Sequence, residues 1–508
     1  MFVEINRFML RKIRIALAMV FWVGITLLLL DITGVLHLWL GWMAKIQFLP
    51  AVLALNAAVI VGLVLLTLLL GRVYCSVICP LGVFQDGVAH MGVVTRAIRY
   101  SRKHNLRSMK GYRPYRYKKE NKWLRYGVLA VFVIALVAGL NALAVLVAPY
   151  SAYGRIVQNL GQPVVQWVNN LLAAWAEKHG SYAFYPREVW LKSLPTLIVA
   201  VVTLVLVVIL AWTGGRTWCN TICPVGTVLG FLSRFSAFRP VIDTEKCKSC
   251  KRCEHECKAS CIDIEKKKID YSRCVDCFNC IDTCQFGALK YRFAWGKKTT
   301  ARTDAGRRAF LLGAGLVAGS AIAKAQRKKV DGGLTPLQDK VAPERKTPIT
   351  PPGSLSVKHF YQHCTACQLC VASCPNNVLR PSDRLEHLMQ PELSYERGYC
   401  RPECVRCSQV CPAGAIRAIS KEEKTQYHIG TAQINRELCV AETGTACGNC
   451  ARHCPVGAIQ MVEDAERGVR VPAVNEALCI GCGACENLCP VRPVSAITVN
   501  GRHDHLNA

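Results

Sequence analysis

The chain is short of acid. Against 63 lysines and arginines it sets 34 aspartates and glutamates, for a formal net charge of +29. It has no C-x-x-C-H segment, which excludes covalently attached haem of that type. It has no G-x-G-x-x-G or P-loop in a suitable context, which excludes those nucleotide sites. Flavin or haem, if the chemistry needs either, comes from a partner. The basic residues gather beside long hydrophobic runs, so nucleic acid is a poor partner and a positive-inside membrane topology fits better.

Cysteine is what the chain has in quantity, 29 in 508 residues. Cys247, Cys250, Cys253 and Cys257 follow C-x2-C-x2-C-x3-C, as do Cys274, Cys277, Cys280 and Cys284. The spacing returns at Cys364, Cys367, Cys370 and Cys374, and at Cys479, Cys482, Cys485 and Cys489. Cys400, Cys404, Cys407 and Cys411 open with one extra residue, and Cys439, Cys447, Cys450 and Cys454 with a longer insertion. Three thiolates two residues apart can face three corners of one iron–sulfur cubane, and the fourth reaches the neighbouring cluster of a pair. Cys257 is thus expected to close the cluster of Cys274, Cys277 and Cys280, and Cys284 that of Cys247, Cys250 and Cys253. Zinc sites more often separate two C-x2-C pairs by a dozen residues or more, and disulfides need an oxidising compartment. Six 4Fe–4S clusters, each of charge about −2 or −3, would offset much of the formal positive charge.

Four apolar runs, near 14–36, 50–71, 124–148 and 193–213, precede these motifs. Each is long enough for the ~20 residues of a membrane span. Arg7, Arg11, Lys12 and Arg14, and the basic loop from Arg96 to Arg125, predict an inner side. Residues 149–191 then face outward, with an interfacial helix around 155–176. GRVYCSVICPLG from Gly71 and GRTWCNTICPVG from Gly215 form an internal repeat. It predicts two pseudo-symmetric helix pairs that bring Cys75, Cys79, Cys219 and Cys223 together. Those thiols either hold a further iron centre or are inert and shape helix ends. The expected fold is a membrane α-helical bundle of four spans in two pseudo-symmetric pairs, with α+β ferredoxin-like iron–sulfur domains. Its segments are 1–240 (membrane), 241–296 (cytoplasmic two-cluster domain), 297–355 (signal anchor and linker) and 356–508 (four-cluster domain).

The spans, the paired C-x3-C-P motifs and the following ferredoxin pair resemble the NapH-type membrane subunit of periplasmic nitrate reductase systems. The region from about residue 301, with GRRAFLLGAG, four cysteine motifs and CVAETGTACGNCARHCP, resembles the NapG/MauM-type ferredoxin subunit. The resemblance implies a fused quinol dehydrogenase of the bacterial inner membrane. It would pass electrons from the quinone pool to a periplasmic reductase or cytochrome. Lys258 and Gln285 stand where that pattern has proline, and Cys261 is an additional candidate ligand. Arg307 and Arg308 before an apolar run, with A-x-A at 323–325, read as a twin-arginine signal and a fifth, anchoring helix. Lys324, Arg327, Lys328 and Lys329 after that run oppose translocation. Residues 324–355 are expected to be an extended linker.

In the last domain GAIRAI, GAIQMV and VSAITV are expected to form small strands. Likeness to four-cluster electron-transfer subunits favours nested pairing, first motif with fourth and second with third; sequential pairing stays open. Asp31, His37 and Lys45, with Gln47 nearby, are candidate quinol-site residues, because an ionisable group in a span is a functional candidate. Tyr150, Tyr153 and Arg155 would close that site; the plainer reading is an ordinary polar span end. His503 and His505 are expected in solvent. A second function class is electron delivery from a cytoplasmic donor to a periplasmic metalloenzyme under maturation. Fully loaded protein is expected to carry about 24 irons per chain. Anaerobic iron and sulfide analysis checks this, and a value of about eight or twelve would refute six clusters.

Overall fold

The computed structural model describes residues 7–31, 34–104, 112–294, 338–464 and 468–505. The twin-arginine motif and its apolar run lie outside them. Among the described residues, two helices are long and apolar enough to cross a bilayer: Met9–Leu29 within α1 (Arg7–Leu29), and α10 (Leu194–Gly214). The 21 residues of α10 span about 31 Å, close to the ~30 Å of bilayer hydrocarbon. Only 28% of α10's apolar window is buried; Ile198, Val202, Val205 and Ile209 face outward.

The second and third apolar runs are broken, contrary to the single spans expected. The second gives α3 (Phe48–Leu53) and α4 (Ala57–Leu70). Leu55 adopts φ 50° between them, and Asn56 restarts the helix by accepting the Val59 N–H at 3.3 Å. The third gives α6 (Lys122–Val137) and α7 (Asn141–Val147), parted at Gly139 with φ +75°. Hydropathy sets the apolar length; one Asn or Gly interrupts the backbone ladder without altering it. The segment between the first two apolar runs is also helical. There α2 (Leu36–Lys45) folds back on α1, with Met43 against Gly24. At its tip Gln47 is fully buried, accepting from Tyr74 Oη at 3.0 Å and donating to the Ile78 carbonyl at 3.4 Å.

The two halves share one grammar. Each of α4 and α10 ends at a left-handed glycine, Gly71 (φ +76°) or Gly215 (φ +67°), followed by arginine and C-x3-C-P. The prolines then open α5 (Pro80–Lys103) and α12 (Pro224–Leu232), where a missing N–H costs nothing. A Cβ on Gly82 would lie 2.3 Å from the Cys75 carbonyl oxygen, and one on Gly226 2.3 Å from that of Cys219. Beyond α7, α8 (Pro149–Ile156) and α9 (Gln162–Lys178) are joined by a π turn, a longer helical stretch than the one expected over 155–176.

The iron–sulfur segments dock at opposite ends of this bundle. In the first, β1 (Phe238–Ile242) pairs with β4 (Leu289–Phe293), around a small hairpin of β2 (Ile262–Asp263) and β3 (Lys268–Ile269). It receives Arg11 on Asp282 (2.5 Å), the Arg72 N–H on Asp276 (2.8 Å), and Arg125 on the Ser272 carbonyl (2.9 Å). The Arg216 N–H reaches the Lys258 carbonyl at 2.8 Å. At the other end Ser193 binds Asp383, Asn141 donates to the Tyr361 carbonyl (3.0 Å), and Gly414 lies against Ala54. Arg406 lies against Gly34 in the same domain. All four apolar runs thus reach from one iron–sulfur domain to the other.

In the larger domain β5 (Leu379–Pro381) pairs with β6 (Pro391–Leu393), and β7 (Gly430–Ile434) with β10 (Ile497–Gly501). The latter pair encloses a hairpin of β8 (Ile459–Asp464) and β9 (Val469–Val474), repeating the plan of the first domain. GAIQMV and VSAITV supply β8 and β10. GAIRAI forms no strand; Ile416 and Ile419 are buried, and the Arg417 N–H binds the Gly353 carbonyl at 2.9 Å. Residues 338–355 are not a bare linker. Ile349 is fully buried, and Arg345 pairs with Glu486 at 2.7 Å, so this domain begins before 356. His505 is buried rather than solvated, bonded to the Ser354 carbonyl at 3.0 Å, and burial pushes its imidazole down to about 4.

Three cations from separate elements converge on Asp86 of α5: Arg14 (3.0 Å), Arg216 (2.6 Å) and Lys258 (2.6 Å). This explains Lys258 where proline was expected; nothing in the structure explains Gln285. Burial alone would raise the Asp86 carboxyl, but the cations, Arg216 first, hold it well below the usual carboxylate range. Its stabilising contribution is therefore complete above about pH 4 and is lost as pH falls further. Asp86→Asn leaves buried cations unanswered and is expected to cost about 3–5 kcal/mol. Thermal unfolding in detergent measures it, and an unchanged midpoint would disprove the hub.

Candidate iron–sulfur centres

The motif loops are helix starts with left-handed residues before them, among them Lys251 (φ 60°), Phe278 (φ 61°) and Gln368 (φ 61°). Such turns let three cysteines of one loop face one point. None of the 29 cysteines is in a disulfide. In the first domain, Cys247, Cys250 and Cys253 line one cavity together with Cys284. Cys274, Cys277 and Cys280 line a second together with Cys257. The exchange of fourth cysteines is as the spacing predicts. Cys261 lines this second cavity too, a placement the pattern left open. Its thiol lies 3.5 Å from Cys257 Sγ.

In the larger domain Cys454 shares a cavity with Cys479, Cys482 and Cys485. Cys411 stands within electrostatic reach of Cys364, Cys367 and Cys370, and Cys374 within reach of Cys400 and Cys407. Pairing is therefore sequential, first motif with second and third with fourth, and the nested expectation fails. The reason is the strand plan: β7 and β10 close the third and fourth motifs into one module, as β1 and β4 close the first domain. By the same exchange Cys489 is left to the cluster of Cys439, Cys447 and Cys450. The modules meet where the Cys400 N–H donates to the Cys482 carbonyl at 2.9 Å. No three His, Cys, Asp or Glu side chains among the described residues converge closely enough for a single metal ion. Four thiols around a larger, apolar-walled void suit a cubane instead.

Cys75, Cys79, Cys219 and Cys223 do come together, each at 4% exposure and within electrostatic reach of one another. Arg72 approaches Cys75 Sγ at 3.7 Å and donates across the pseudo-axis to the Cys219 carbonyl at 3.3 Å. Arg216 mirrors it, at 3.8 Å from Cys219 Sγ and 2.7 Å from the Cys75 carbonyl. Gln85 donates to Cys219 Sγ at 3.3 Å. Sequence reasoning found the thiols but missed these donors, although both arginines stand inside the repeat.

The outer quinol candidates are less coherent. His37 and Lys45 sit at opposite ends of α2, a rise of about 12 Å, and Lys45 is exposed. Asp31 accepts the Gly34 N–H at 2.7 Å. Arg155 is occupied by the carbonyls of Val145 (2.8 Å) and Leu146 (3.0 Å), and Tyr153 by Thr26 (2.6 Å). Two candidates are buried with no hydrogen-bond partner among the described residues: both ring nitrogens of His37, and the Tyr150 hydroxyl, which is close to Cys367 and Cys411.

Comparison with known proteins agrees with this geometry. The family model "4Fe-4S binding domain" matches residues 53–99 and 196–242, each including a C-x3-C-P motif. "4Fe-4S dicluster domain" matches 363–415, which holds the first two motifs, and 445–492, which holds the last two except Cys439. The ferredoxin-type protein NapF of Escherichia coli K12 is 33% identical over 158 residues, 31% of this chain and 87% of NapF. The chain belongs to the NapF family of ferredoxin-type proteins. The ferredoxin-type protein NapG of the same strain is 28% identical over 30% of this chain and 71% of its own length. The methylamine utilization ferredoxin-type protein MauM of Methylobacillus flagellatus is 27% identical over 28% of this chain and 64% of its own. No solved structure matches. The chain is a ferredoxin-type iron–sulfur electron-transfer protein.

Sequential pairing has a countable consequence. Replacing Cys479, Cys482 and Cys485 by alanine is expected to remove about four irons, and adding Cys454→Ala to remove no more. Nested pairing would bring the loss to about eight, because Cys454 would then serve a different cluster.

Proposed function

We propose that this protein joins a NapH-type membrane unit to a NapG/MauM-type ferredoxin unit and carries electrons across a bacterial inner membrane. One observation carries the reading: two iron–sulfur domains stand at opposite ends of membrane-length helices, with a buried four-thiol site between them. From the first domain the route runs through Asp276 and Arg72 to Cys75. Towards the other domain, the ring of Phe84, just beyond Cys79, lies 6.5 Å from that of Tyr153. A side chain on Gly154, in the same helix, would strike the Cys367 carbonyl, so that helix abuts the first outer cluster loop. A seventh iron centre at Cys75, Cys79, Cys219 and Cys223 would answer the buried guanidinium of Arg72, which has no carboxylate within salt-bridge distance among the described residues. Bound there, iron supplies one-electron exchange; the arginines and Gln85 hold the thiolate charge and exclude water.

The electrons' port on the inner side is the cluster of Cys250, the one exposed cysteine of the chain. Lys246, Lys248, Lys251 and Arg252 are exposed around it, which suits an acidic cytoplasmic carrier. The outer domain delivers to a periplasmic reductase or cytochrome. A second reading, quinol oxidation at the outer cluster, rests on the unpartnered Tyr150 hydroxyl beside Cys367.

Vesicles exposing only the first domain test the conduit. An impermeant reductant is expected to reduce the four-cluster domain, and Cys75→Ser with Cys219→Ser to stop it. Reduction confined to the first domain in the parent protein would refute the conduit. Menaquinol that reduces parent and double variant alike would instead put entry at Tyr150.

A further inference from the structure

The second cavity of the first domain has one sulfur too many. A cubane offers four irons to four protein thiolates, and the neighbouring cavity is lined by four cysteines. Here five line it: Cys257, Cys261, Cys274, Cys277 and Cys280. Cys261 is 1% exposed, so it does not act on solvent. It lies in contact with Cys257 at 3.5 Å and within hydrogen-bond reach of Cys274. At that separation the sulfurs are not bonded, since a disulfide needs about 2.05 Å. The two cysteines sit in different backbone surroundings: the Cys257 carbonyl accepts from the Ser260 N–H at 2.8 Å and that of Cys261 from the Asp270 N–H at 2.9 Å.

We propose that Cys261 is an alternate fourth ligand of this cluster, in exchange with Cys257. Cys261 gives up its proton to Cys257 through their contact and takes its place. One iron–sulfur bond breaks, one forms, one proton crosses, and no electron is gained or lost. The neighbouring donors differ between the two ligands, so the exchange sets two reduction potentials for the cluster nearest Arg72 and the four-thiol site.

The inference rests on the six-cluster reading, and the parent protein's iron count checks that separately: about 16 irons would refute the reading itself. With about 24 in the parent, or more where the C-x3-C-P thiols also hold iron, full-length Cys257→Ala and Cys261→Ala are each expected to keep the parent's number, and the double variant to lose about four. Loss of about four irons from Cys257→Ala alone overturns the exchange. If Cys257→Ala does not accumulate, redox titration followed by electron paramagnetic resonance decides on parent and Cys261→Ser. Two populations for this cluster collapsing to one support the proposal; identical spectra and midpoints overturn it.

Discussion

The structure depends on two buried arginines that must each be answered from the opposite half. Arg72 follows α4 but donates to the Cys219 carbonyl; Arg216 follows α10 but donates to that of Cys75. Neither guanidinium has any exposure. Burying a cation is costly, and the cost falls with each acceptor or opposite charge its donors find. That dependence fixes the rest of the repeat. Gly82 and Gly226 leave room for the crossing guanidinium, whose nitrogens would lie 2.7 and 2.8 Å from any Cβ there. The left-handed glycines turn the chain sharply enough to bury the arginine that follows. Asp86 answers Arg216, whereas Arg72 finds neutral oxygens on Asn220 and Ser272. The asymmetry leaves positive charge beside the thiols.

The same crossing ties the bundle to the first iron–sulfur domain. The backbone N–H of Arg72 binds Asp276, between two motif cysteines, and that of Arg216 binds the carbonyl of Lys258, next to Cys257. Helix ends, thiol site and motif loops therefore share hydrogen bonds rather than merely touching. Displacing one loop would leave a buried donor unmet in the next, at a cost of about 1–3 kcal/mol each.

The motif cysteines and their exchange within the first domain were legible because spacing along a tight loop is itself geometry. The convergence of the C-x3-C-P thiols was legible because a repeat in register implies symmetry. The breaks at Leu55 and Gly139 were not, because hydropathy counts apolar residues and is blind to one left-handed backbone angle. Motif pairing in the larger domain was hidden for another reason: it depends on β7 meeting β10, a contact between residues far apart in sequence. Burial of His505 and Arg345 was equally invisible, since both lie in polar segments whose partners are distant. Cys261 was visible as an extra letter, but only folding sets it against Cys257.

The four apolar runs have a consequence in parity. An even number of traverses returns Ala294 to the end of the bundle that holds Arg11, and both lie at the first iron–sulfur domain. Lys340 is bonded within the other domain, to the Glu486 carbonyl at 2.5 Å. Ala294 and Lys340 therefore lie at opposite ends of the bundle. If the bundle is in a membrane, the two iron–sulfur domains lie on its opposite faces. Their cysteines would then be metallated on one side and parted afterwards, or metallated separately on two.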